Sequence, residues 1–170
     1  SATMEYWDIY DKDGNFTGRK KGKYEKWDKD EYHLATEVWV IKSKKQILIQ
    51  QRSEKCQLLP GIWALTTGRV VSGETTRQGC IRELKEELGI EAKEEECNLV
   101  KSLLKNRLGM IWDIYFLRKD VELEDVTLQK EEVSRVKLVN TDEFRDMLKE
   151  GIMCEYSEVY ELLDIIDELD

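Results

Sequence analysis

The chain has 170 residues, 41% of them hydrophobic, which is enough for one domain that buries roughly two-thirds of the surface its unfolded form exposes. Its 27 Lys and Arg against 36 Asp and Glu leave a net charge of -9, which argues against nucleic acid or an anionic membrane as partner and requires local cations for an anionic substrate. Four scattered cysteines without a Cys-x-x-Cys pair, one histidine and no apolar run of about 18 residues argue against a zinc knuckle, a disulfide scaffold and a membrane span, and point to a reducing cytoplasm.

Ser1 to Thr3, ahead of Met4, read as an expression scar, leaving 4–170 as a single domain. Glu5 to Tyr10 alternates as a short strand, and Asp11 to Gly14 turns it into a second extended piece, so the chain opens on a hairpin. Arg19 to Lys29 sets Tyr24 and Trp27 among lysines and reads as a solvated connector, with a phosphate-steering surface as the lesser reading. His33 opens a strand over Leu34 to Ile41. Ser43 to Lys45 turns that strand into Gln46 to Arg52, giving a central hairpin. Pro60-Gly61 breaks the chain before Trp63 and leads to Gly68.

From Gly68 to Ile90 a glycine-bounded loop runs into a helix, because Thr75 with Gln78 makes a capping box and Gly89 makes a stop. Beyond it, Asn98 to Leu104 and Met110 to Leu117 are strands joined by a turn with two cations, Lys105 and Arg107. Asp120 to Glu132 reads as an acidic loop and Val133 to Val139 as a strand. Thr141 is expected to cap a helix reaching Lys149, and Tyr156 to Leu169 to form the last helix, with Val159, Leu162, Leu163, Ile166 and Leu169 as its apolar stripe. Strands on both sides of one central helix, then terminal helices, predict an α+β domain.

At roughly 100° per residue the helix after Gly68 puts Glu83, Glu86 and Glu87 on one side and Cys80, Ile81, Leu84 and Leu88 on another. Three carboxylates at i, i+3 and i+4 repel one another, so a positive charge should sit among them. Mg²⁺ or Mn²⁺ is the natural occupant, since these ions bind a few carboxylates plus water and substrate phosphates. A solvated acidic face would explain the carboxylates but not both glycines and Arg82 at set distances.

Gly68, Glu74, Arg82-Glu83-Leu84, Glu86-Glu87 and Gly89-Ile90 together resemble the Nudix box, and every fixed position of that pattern is met. Chance would give such a match with a probability on the order of 10⁻⁶. The resemblance implies the Nudix fold, a mixed β-sheet sandwiched between helices, and hydrolysis of a diphosphate linkage in a nucleoside diphosphate joined to another moiety. It implies a metal held by Glu83, Glu86, Glu87 and the Gly68 carbonyl, with Glu74 and Arg82 supporting the loop–helix junction. The general base is either Glu83 or a later loop carboxylate, for which Glu132, with Glu131 beside it, is the candidate.

Two other readings follow from the same residues. The N-terminal hairpin before His33 is similar to the Nudix-fold isopentenyl-diphosphate isomerases, but their chemistry needs a cysteine just before the box glycine and a histidine-rich metal site. Here Thr67 and Arg69 flank Gly68, and His33 stands alone. A non-catalytic Nudix-fold module would have lost box carboxylates, and all are present. Trp39, Trp63 and Trp112 read as packing residues before base-stacking ones, Arg52 as a surface residue as readily as a phosphate ligand, and Cys80 as a small buried hydrophobe. The partner expected is a small-molecule diphosphate, with the oligomeric state open, a homodimer included.

Overall fold

The computed structural model describes residues 5–170, so the reading of Ser1 to Thr3 lies outside the described residues. A hairpin of β1 (Tyr6–Tyr10) and β2 (Phe16–Gly22) precedes the main sheet. That sheet is built on β3 (His33–Lys42), β4 (Gln46–Arg52), β5 (Trp63–Ala64), β6 (Thr66–Arg69), β7 (Cys97–Lys105), β8 (Met110–Arg118) and β9 (Val133–Val139). Its order is β5-β4-β3-β8-β7, with β6 also on β3 and β9 also on β4. β3 runs parallel to β8 through nine paired positions, and the other pairings are antiparallel.

The sheet is mixed and covered on both faces. β3 is buried along almost its whole length, as a strand between two helical layers must be. On one face Trp39 and Ile41 pack with Ile47, Ile49 and the helices α2 (Thr141–Lys149) and α3 (Val159–Asp167). On the other, Val38 and Val40 pack with Cys80, Leu84 and Leu88 of α1 (Thr76–Leu88). This is the helix–sheet–helix sandwich expected from the sequence. No helix among the described residues is long and apolar enough to cross a membrane.

The helix signals around α1 are realised in detail. Thr75 accepts from the Gln78 N–H while the Gln78 side chain accepts from the Thr75 N–H, and Gly89 closes the helix at φ 66°, in the left-handed region that glycine tolerates. Gly79 lets the helix lie close on the sheet, because a Cβ there would approach Val70 to 3.1 Å.

Three expectations need correction. β3 and β4 share only the pairs Ile41–Ile47 and Lys42–Gln46, because β6 takes the edge of β3 from Ala35 to Val38; they diverge after the turn and do not form a full hairpin. The cap of α2 is Asn140, whose side chain accepts from the Glu143 N–H, and Thr141 is the first helical residue, its hydroxyl donating to Asp167. The last helix begins at Val159 and not at Tyr156, because Glu158 at φ 60° breaks the helical path and the Tyr156 oxygen accepts from the Leu65 N–H.

Candidate active site

Backbone geometry sets the position of the acidic face. Thr36 of β3 is paired with Gly68 of β6, and α1 lies across both strands. A Cβ at Gly68 would stand 2.5 Å from the Glu83 carboxyl carbon, so a side chain there would displace the Glu83 carboxylate from its present place. Glu83 therefore lies against the Gly68 backbone.

Arg82 ties the loop to the helix. Its Nε donates to Glu74 Oε2 at 2.7 Å and its Nη2 to Glu74 Oε1 at 3.1 Å, a bidentate fork, while Nη2 also donates to the Arg69 carbonyl at 3.0 Å. Glu74 Oε1 also accepts the Val71 N–H at 3.1 Å, which closes the loop on itself. The remaining nitrogen, Nη1, donates to Glu83 at 2.9 Å and reaches Glu86 at 3.4 Å. One guanidinium thus faces three carboxylates, while Glu87 forms no ion pair among the described residues and feels the Arg52 charge only at a distance.

Glu87 instead accepts an amide N–H from Gln50 at 2.9 Å, and the Gln50 carbonyl oxygen accepts the Thr66 hydroxyl at 2.8 Å. Burial pushes the Glu83 carboxyl up to about 7, with the Arg82 guanidinium countering it only in part. Burial also pushes Glu87 up to about 7, where the charges of Glu83 and Glu132 add to the effect and the Gln50 bond opposes it. Glu86 is exposed. Among the described residues no three acidic, histidine or cysteine side chains are drawn into a closed metal cage.

Glu132 stands within electrostatic reach of Glu87, at the end of the acidic loop. Its carboxylate is exposed and forms no ion pair among the described residues, while its backbone carbonyl accepts the Ser53 N–H at 2.9 Å. Glu131 is exposed beside it.

A cavity of about 490 Å³ opens beside Gly68, lined among others by Arg52, Thr67, Arg69, Lys105 and Trp112. Three cations at its wall answer the need that the net charge of -9 imposes on an anionic ligand. Trp112 is fixed in place by its indole N–H, which donates to Glu37 at 2.9 Å, and the Lys105 ammonium sits 3.9 Å from its ring centre. Trp39 packs against Phe144 in the core, and Trp63 is buried under Arg135.

Sequence reasoning missed Gln50 and Glu37. Each is a polar residue that is buried and hydrogen-bonded, Glu37 beside the apolar run Val38 to Ile41 and Gln50 after Ile47 to Ile49, so the signal was a hydrophilic residue at a position that alternation assigns to the core. Lys105 was legible only as half of a charged turn. Cys80 is the buried hydrophobe expected, with its sulfur 2.5 Å from the Thr36 hydroxyl.

A model of the NUDIX domain matches residues 31–161. The chain belongs to the Nudix family. Among its relatives, a Nudix hydrolase of Listeria monocytogenes is 32% identical over 164 residues, covering 95% of both chains. The Nudix fold is shared with the solved structure of DR0079 from Deinococcus radiodurans, with a TM-score of 0.73 at 18% identity over 96% of this chain and 98% of that one. Similarity to an isopentenyl-diphosphate isomerase of Salmonella heidelberg is partial: 37% identity over 60 residues, 35% of this chain and 33% of the isomerase. These relationships place the Nudix chain among pyrophosphohydrolases, the enzyme class expected from the box.

The single histidine of this Nudix chain lies in an aromatic stack. His33 lies on Trp7 with ring centres 4.6 Å apart and meets the edge of Trp27 at 5.2 Å, while Arg69 covers Trp7 at 4.7 Å. Burial pushes the His33 pKa down to about 4, and the Arg69 charge adds to this, so the ring is neutral at physiological pH.

Proposed function

We propose that this chain hydrolyses the diphosphate linkage of a nucleoside diphosphate joined to a second moiety, in a reaction that depends on Mg²⁺ or Mn²⁺. The observation that carries the reading is Glu83 lying against the glycine cradle at Gly68, with Glu86 reached by the same Arg82 guanidinium and Glu87 one helical turn beyond Glu83, beside a cavity walled by Arg52, Arg69 and Lys105. The donor set fits a hard divalent cation: oxygen atoms only, an excess of negative charge, and two half-buried carboxyls, Glu83 and Glu87, whose pKa values burial raises. Glu83, Glu86, Glu87 and the Gly68 carbonyl would hold it. When bound, such an ion neutralises charge on phosphate oxygens and makes water a nucleophile near neutral pH.

The protein groups divide the remaining work. Glu74 and Arg82 support the junction, because their fork fixes the loop that presents Gly68. Arg52, Arg69 and Lys105 attract and orient the diphosphate. Glu83 is committed to Arg82 and the Gly68 cradle, whereas Glu132 has no cationic partner, so Glu132 is assigned the proton acceptor for the attacking water. Four free thiols support the cytoplasmic placement.

The test is a panel of diphosphate compounds assayed for released phosphate and nucleotide with Mg²⁺ and after exhaustive chelation. Metal-dependent cleavage of at least one nucleoside-diphosphate compound is expected, and unchanged turnover under chelation would contradict the reading. Glu132→Gln should lower kcat with little change in KM, an effect that Glu131→Gln should not share.

A further inference from the structure

A second cavity, of about 420 Å³, lies under the N-terminal hairpin, and its lining includes Trp7, His33, Lys23, Lys29, Arg69 and Arg107. It shares Arg69 and Leu108 with the cavity beside Gly68, so the two adjoin. Four of its lining side chains are cations, and none of the four forms an ion pair among the described residues. Two carboxylates also line it. Glu31 is buried and already held by Lys21 at 2.5 Å and Arg19 at 3.1 Å, and Asp28 stands 3.7 Å from Lys21. The cavity is therefore locally positive on a strongly acidic chain.

Three buried polar atoms of its wall lack hydrogen-bond partners: Glu31 Oε2, whose charge is met by Arg19 at 3.1 Å, and Trp7 Nε1 and His33 Nδ1, in residues that are 2% and 6% exposed and have no such ion pair. Leaving such groups unsatisfied is unfavourable, and an indole N–H can only donate, so the missing partner is an acceptor. A neutral imidazole can also carry its proton on Nδ1 and donate to the same acceptor. Cations plus orphaned donors describe a site for an oxyanion.

We propose that this cavity binds a phosphate-class oxyanion, the second anionic group of the substrate whose diphosphate linkage is cleaved at Gly68 and α1. The assignment rests on the hydrolase reading above, and it narrows the substrate class to diphosphates bearing a further phosphate or similar group beyond the scissile linkage. Lys29 and Arg107, both exposed, supply attraction at the mouth, Arg69 bridges the two cavities, and Trp7 and His33 fix the anion by directed bonds.

The test reads the site without metal or turnover. Inorganic phosphate is titrated into the chelated protein at constant ionic strength while NMR follows the indole N–H of Trp7 and the ring of His33, whose signal is unambiguous because the chain has one histidine. Both should move and saturate together, and Lys29→Ala with Arg107→Ala should weaken the apparent Kd by about threefold per cation removed. Absence of saturable shifts, or shifts confined to the Trp112 indole, would overturn the site. A second arm separates a substrate group from a free effector: phosphate should inhibit hydrolysis competitively, less so in the double variant, whereas a purely non-competitive effect would overturn the substrate assignment. Saturable shifts at His33 in a protein without metal-dependent turnover would leave the anion site standing and sink the hydrolase reading alone.

Discussion

Glu37, which is buried, and the half-buried pair Glu83 and Glu87 are carboxylates served from opposite faces of the same sheet, and they are treated in opposite ways. Both oxygens of Glu37 accept indole N–H groups, from Trp39 at 2.6 Å and Trp112 at 2.9 Å. Burial raises its pKa, and the two indole bonds counter that rise. Glu83 and Glu87 face one another and share one guanidinium and one amide between them. A carboxylate with two fixed neutral donors holds a wall in place, while a pair left short of positive charge is suited to a cation. The same residue type thus serves structure on one face and, in the proposed function, chemistry on the other.

The largest expected effect separates the two. Glu87→Gln keeps side-chain size and removes a ligand charge, so turnover should fall on the order of 100-fold, with a smaller rise in melting temperature on adding Mg²⁺. Initial rates and thermal melts measure both. Glu37→Gln should act on stability instead. Its new amide turns an N–H toward an indole donor and leaves one buried donor unpaired, costing about 1–3 kcal/mol, or roughly 2–4 °C of Tm per kcal/mol. That loss should be the same with and without Mg²⁺, and a loss confined to the metal-bound form would break the comparison.

The contrast also predicts a pH dependence. Glu83 and Glu87 titrate near 7 in the fold against 4.5 for a free glutamate, so the folded chain holds protons that the unfolded chain releases. Their contribution is fully present below about 4.5 and is lost as pH rises through about 7. His33 works in the opposite sense, its depressed pKa giving stability that is present above 6.5 and lost as pH falls through about 4. In metal-free denaturant melts, Glu83→Gln should therefore gain on wild type as pH rises across that window, and a constant difference would count against the raised carboxyl. The smallest effect expected is at the cap of α2, remote from the acidic face. Asn140→Ala should cost about 1 kcal/mol without changing the Mg²⁺ response.

What the sequence disclosed follows the same division. The box helix was legible to its caps because its signals are local: Thr75 and Gln78 are one turn apart, Gly89 closes the helix, and the three glutamates share a face. The α+β class was legible because the apolar runs of β3, β8 and the terminal helices have clear periods, and the sandwich came with the resemblance to the Nudix box. Pairings made across long separations were not. Nothing near Gln46 says that β6 will take most of the β3 edge, and nothing near Glu37 says that Trp112, 75 positions away, will supply its second donor. The early start expected for α3 failed for a related reason, since the Leu65 N–H that bonds Tyr156 is 91 positions distant. The basic stretch from Arg19 to Lys29, read as a connector, contributes two lysines to a cavity because the hairpin folds back over His33.

The central claim is that the acidic face of α1 exchanges protons for a divalent cation, and calorimetric titration of Mg²⁺ into the protein tests it most directly. Wild type and Glu87→Gln would be compared at about pH 6 and about pH 8, on either side of the raised carboxyl values, in buffers of different ionisation enthalpy. Tighter Mg²⁺ binding at the higher pH is expected, with proton release at the lower pH, and both should be lost or strongly reduced in Glu87→Gln. Equal affinity at the two pH values, or undiminished binding in Glu87→Gln, would contradict the account.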